Sequence, residues 1–91
     1  MTIDDQTTVG PIARLDVILQ RVGREAILHD DAFGKAHVIN GSAAQLWELC
    51  DGRPLGELLT AFADLYGRSP DTVADDVRRT LDRFRAMGLL A

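Results

Sequence analysis

The hydrophobic pattern of the chain changes period once. Upstream of Asn40 the apolar residues come in short, β-branched runs; downstream they recur at three- and four-residue steps. Val17-Ile18-Leu19-Gln20-Arg21-Val22 predicts a strand ended by Gly23, and Glu25-Ala26-Ile27-Leu28-His29 a second. Asp30-Asp31-Ala32-Phe33-Gly34 supplies turn residues, and Lys35-Ala36-His37-Val38-Ile39 a third strand, so the last two strands form a hairpin. Ala43, Leu46, Trp47 and Cys50 then share one face of a helix that Asn40 can cap and Gly52 can end. Leu55, Leu58, Leu59, Phe62, Leu65 and Tyr66 make the stripe of a second helix, with Pro54 in its first turn and Gly67 as its stop.

Ser69-Pro70-Asp71 opens a third helix with a cap, a proline at the first position and an acid at the positive end of the dipole. It runs to about Met87, before Gly88. Val73, Val77, Thr80, Leu81, Phe84 and Met87 form its core stripe. Ala74, Arg78 and Arg85 follow one border of that stripe; Asp76 and Arg83 follow the other. Residues 1–13 are polar and aperiodic and are expected to form a flexible tail, leaving 14–91 as the domain. The expected fold is α+β and winged helix-turn-helix-like: a three-stranded antiparallel sheet followed by three helices, with the strands placed first.

Composition narrows the function. A chain of 91 residues carries one modest core. No apolar run approaches the roughly 20 residues that cross a bilayer. The acidic N-terminus lacks a basic region followed by an apolar one, so no signal peptide is read and the cytoplasm is expected. A single cysteine excludes an intrachain disulfide and a cysteine-based zinc site, and its place on an apolar helix face suits an inert thiol. The net charge of −4 disfavours non-specific attraction to nucleic acid. Counting Lys and Arg against Asp and Glu, residues 68–91 hold the only net positive third of the chain, at +1.

Catalytic constellations are missing from the pattern. His29 and His37 fall near opposite ends of the hairpin with no third ligand close in sequence, so neither a metal nor any other cofactor is expected. Asp30 and Asp31 read as turn formers without a desolvating environment, and Ser42 and Ser69 as helix-entry residues with no histidine to activate them. The isolated glycines do not form a phosphate loop. A binding module, not an enzyme, is the consistent reading. A winged-helix DNA binder is its first rival, but the second helix carries Glu57 and Asp64 with no Lys or Arg, and the third alternates Arg with Asp. A structural subunit whose open sheet edge is filled by a partner is the second rival, and a homodimer formed by strand exchange stays open beside it.

The order of motifs carries a resemblance. The hairpin from Glu25-Ala26-Ile27-Leu28 to Ile39-Asn40 is followed by Ala43-Ala44-Gln45-Leu46-Trp47-Glu48-Leu49-Cys50-Asp51-Gly52. Leu58-Leu59, Leu65-Tyr66-Gly67, the third helix and Gly88-Leu89-Leu90 complete the series. Over residues 15–91 it resembles the PqqD-like family, the recognition elements for precursors of ribosomally synthesised and modified peptides (RiPPs). Pro54 departs from it, standing where many relatives have a capping Thr or Ser.

The resemblance implies a non-catalytic peptide chaperone. Such a domain binds the leader segment of a precursor peptide and presents it to a modifying enzyme, such as a radical SAM enzyme of the pyrroloquinoline quinone type, or to a leader protease of the lasso-peptide type. It also implies that the leader adds as an antiparallel strand beside the third strand, in the groove shared with the third helix. By position, that assigns Lys35, Ala36, His37, Val38 and Ile39 as the edge and Ala74, Val77, Arg78, Leu81 and Arg85 as the facing helix. Arg78 and Arg85 would hold acidic leader residues through charge-assisted bonds. On this expectation Arg78→Glu weakens leader binding and leaves the fold intact, as fluorescence anisotropy with the leader would show.

Overall fold

The structure is a computed structural model and describes residues 9–91. Three strands, β1 (Val17–Val22), β2 (Glu25–Asp30) and β3 (Lys35–Asn40), form an antiparallel sheet in the order β1-β2-β3. Three helices follow: α1 (Gly41–Leu49), α2 (Leu55–Leu65) and α3 (Pro70–Ala86). A short 3-10 turn, Asp31–Phe33, and Gly34 at a φ of 64° connect β2 to β3. The expected sheet-then-helices order and each element are present.

Alternation sorts the sheet into two faces. Val17, Ala26, Leu28, Asp30 and Ile39 are buried on the inner face, against the helices. The register pairs Leu28 with both Leu19 and His37, and Ala26 with Arg21 and Ile39. On the outer face Ile18, Val22 and Val38 are more than half exposed. The helices contribute Ala43, Ala44, Leu46 and Trp47 from α1, Leu58, Phe62 and Ala63 from α2, and Val73, Val77, Leu81 and Phe84 from α3. Trp47 meets Phe84 edge to face, with centroids 5.4 Å apart at 86°, the arrangement that aligns a ring's positive rim with a neighbour's negative face.

The helix ends follow the sequence, with one displacement. The Asn40 side chain accepts a hydrogen bond from the Ala43 N–H at 2.8 Å, and Ser69 caps α3 through the Thr72 N–H. Helix α1 stops at Leu49, with Cys50 in the cap position, so Gly52 lies beyond it. Gly52, at a φ of 95°, turns the chain where its Cα faces the Ile12 side chain; an added Cβ would sit 3.4 Å from it. Pro54 stands just before α2 and offers no side-chain cap. The nearby Asp51 carboxylate instead accepts from the Arg53 backbone N–H and from its guanidinium.

Two expectations require correction. The tail was expected to reach residue 13, but residues 10–13 are bonded along their backbone. Gly10 N–H donates to Gly52 O, Ala13 N–H to Cys50 O, and Ala91 N–H to Ile12 O, at 2.7 to 2.9 Å. Backbone pairing of this kind needs no side-chain period, which is why the sequence pattern does not betray it. Residues 1–8 of that expected tail lie outside the described residues. Asp30, expected in the turn and exposed to water, ends β2 and is 1% exposed. Arg14 neutralises it with both terminal nitrogens, at 2.9 and 3.1 Å.

The same guanidinium binds Asp16 through Nε and Nη2, donates to the Gly88 carbonyl at 3.0 Å, and lies 5.2 Å from the Phe33 ring centroid. Removing the cation leaves a buried carboxylate without compensation, the more damaging half of such a pair to lose. Asp30→Asn is expected to cost about 2 kcal/mol, as for a buried hydrogen bond to a charge. Arg14→Met is expected to lower the thermal midpoint further than Asp30→Asn; equal or smaller loss by calorimetry would contradict the arrangement.

Candidate functional site

Among the described residues strand β3 is an edge: its one neighbour in the sheet is β2. Lys35, His37 and Ile39 point to the inner face and Ala36 and Val38 to the outer. Ile39 is buried and His37 half-buried, whereas Lys35, Ala36 and Val38 are exposed. The open side of β3 therefore offers backbone donors and acceptors, with a graded inner row of side chains. His29 faces the other way and bonds Gln20 at 2.7 Å, so the two histidines do not converge. Among the described residues no three metal-ligating side chains cluster.

A cleft of about 740 Å³ begins where β3 ends. Asn40 and Ser42 form one rim, Leu46, Phe62, Val73 and Val77 supply apolar lining, and Asp76, Thr80 and Arg83 give the α3 wall. Tyr66, half-exposed at the end of the α2 stripe, reaches this cleft and donates its hydroxyl to Gln45. Of the helix residues expected at the site, Val77 reaches the cleft, and it is buried.

The other four are placed elsewhere. Arg78, Leu81 and Arg85 border a second depression, of about 620 Å³, with Val9, Gly10, Pro11, Leu55 and Leu90. Ala74 is half-buried on the same border of α3 by helical spacing. Sequence periodicity identifies both borders but not which one lines the cleft that begins at Asn40. Thr80, assigned to the core stripe, and Asp76 and Arg83, on the other border, line the cleft. Arg79 pairs with Asp76, and Arg85 with Asp82 at 3.2 Å, whereas Arg83 has no ion-pair partner among the described residues.

A family model described as coenzyme PQQ synthesis protein D (PqqD) matches residues 17–90. The chain belongs to the PqqD family. Among solved structures, TbiB1 in complex with the TbiA(beta) leader peptide is similar to this PqqD-family chain, with a TM-score of 0.72 and 21% identity. The match covers 87% of this chain and 93% of that one. At that identity the likeness bears on the fold, and it supports the three-stranded sheet followed by three helices. No curated protein sequence matches the chain. No helix among the described residues is long and apolar enough to cross a membrane.

The single cysteine of this PqqD-family protein is not equipped for chemistry. Cys50 is 4% exposed, and its Sγ donates to the Leu46 carbonyl. Burial, followed by the nearby Asp51 charge, pushes its thiol up from 9.0 to about 11. Because the folded state holds the proton more tightly, the unfolded chain loses it first. The group's contribution to stability is therefore present below about pH 9 and is lost as pH rises toward 11. Maleimide labelling near neutral pH is expected to be slow in the folded protein and fast in denaturant. Rapid labelling without unfolding would place the thiol at the surface.

Proposed function

We propose that this PqqD-family protein binds the leader segment of a ribosomally made precursor peptide by adding it as an antiparallel strand along Lys35–Ile39. It then hands the precursor to a modifying enzyme, a radical SAM enzyme or a leader protease, without catalysing a reaction itself. The observation that carries the reading is the open edge of β3, running directly into the cleft lined by Asn40, Val77, Thr80 and Arg83. The all-antiparallel sheet suits an antiparallel fourth strand, whose backbone bonds give affinity while alternate side chains give selectivity. The fold it shares with TbiB1, whose structure holds a leader peptide, supports the same reading.

We place the acidic contact at Arg83, because it lines the cleft and has no ion-pair partner among the described residues, whereas Arg78 and Arg85 line the second depression. This placement leaves the second depression outside the proposed groove. A synthetic candidate leader peptide is expected to shift and protect amides in Lys35–Asn40 and along Val73–Arg83 of isotope-labelled protein. Shifts confined to other residues would remove the assignment. Arg83→Glu should weaken binding by roughly threefold, the scale of a partly exposed ion pair. Arg78→Glu should leave it unchanged; the reverse order of effects would restore the border first expected from the sequence.

A further inference from the structure

Among the described residues, His37 Nε2 is the buried side-chain polar atom that lacks a hydrogen-bond partner. It belongs to a half-buried residue on the inner row of the open edge strand. A buried imidazole nitrogen without a partner is unfavourable, and because the ring is only half-buried, a turn of the side chain toward the strand edge lets an added strand supply that partner. Lys35 lies two residues before it on the same face, exposed and with no ion-pair partner among the described residues. Ile39, two residues after, is buried next to Asn40 at the mouth of the cleft. Along the inner face, β3 thus presents a cation, an unsatisfied imidazole and an apolar contact at alternate positions.

Side chains directly opposite one another on paired strands lie about 4.5–5.5 Å apart at Cβ, so each of these three residues meets one peptide residue. We infer that His37 and Lys35 set the sequence specificity of the peptide. The preferred ligand reads, from its N-terminus, apolar–x–polar–x–acidic, placed opposite Ile39, His37 and Lys35 in turn. The polar residue carries a hydroxyl, amide or carboxyl group that bonds the imidazole, and the acid pairs with the ammonium of Lys35. The inference rests on strand addition at β3 and names the chemical class of peptide that the edge accepts. The order follows from antiparallel pairing, in which the peptide residue two positions further on lies opposite the β3 residue two positions earlier.

The test is selection of peptides from a displayed random library on the full chain, followed by amide-protection mapping of the winners. Peptides that protect Lys35–Asn40 are expected to share the apolar–x–polar–x–acidic pattern. Their affinity should fall about tenfold on His37→Leu, the scale of one buried hydrogen bond. Selection on Lys35→Glu, a change at an exposed residue, should replace the final acid with Lys or Arg. Edge-binding peptides that lack the pattern, show it in reverse, or ignore both substitutions would overturn the inference while leaving strand addition in place. Winners that leave the β3 amides unprotected would remove strand addition itself, and the inference with it.

Discussion

The Asp30 carboxylate sits at the inner end of β2 with almost no access to water, and Arg14 holds both of its oxygens. Burying a carboxylate is costly unless it is paired and fully hydrogen-bonded, so this contact is a condition on the fold more than a surplus of stability. The fork of Arg14 has further donors, and these reach Asp16 and the carbonyl of Gly88 just past α3. One side chain therefore relates three parts of the chain that are remote in sequence: the segment before β1, the end of β2 and the end of α3.

That relation matters for the groove. Asp30 lies opposite Lys35 in the strand register, so the position of the buried carboxylate bears on where β3 begins. Phe33, in the connection between them, lies against the same guanidinium. At the far end of β3, Asn40 caps α1 and shares the cleft with Val77 and Thr80 of α3. The edge strand is thus fixed at its start by an ion pair and at its end by a helix cap. Trp47 against Phe84 fixes the helix wall between α1 and α3.

Most of the fold was legible because local rules agree with one another here. Period, caps and most glycine stops marked the same boundaries, Gly52 excepted, and β1 matches its expected range residue for residue. The edge strand of the candidate site was legible for the same reason. Which border of α3 lines the cleft was not. Arg78 and Arg83 lie on opposite borders of one stripe, and a helical period is symmetric about its stripe, so it does not say which border lines the cleft. Asp30 was misread because its partner lies 16 residues upstream, in a stretch with no period at all. Leu65 and Tyr66 continue the apolar spacing of α2, yet both stay about half exposed. A hydrophobic period reports which face a residue takes, not how far the neighbouring element extends.

The bonded segment at residues 10–13 bears on how the molecule closes. Ile12 bridges to Asp51 and Ala13 to Leu90, so the second contact joins nearly the two extremes of the chain. Its formation encloses almost the whole sequence in one loop, and the entropy of that closure is lost before the contact returns any enthalpy. Hairpins and helices, by contrast, draw on neighbours only a few residues away. The seam between the chain's two ends is accordingly the step expected to complete assembly after the sheet and helices have met. By the same balance it is the place where local opening, rather than global unfolding, would first expose backbone to exchange.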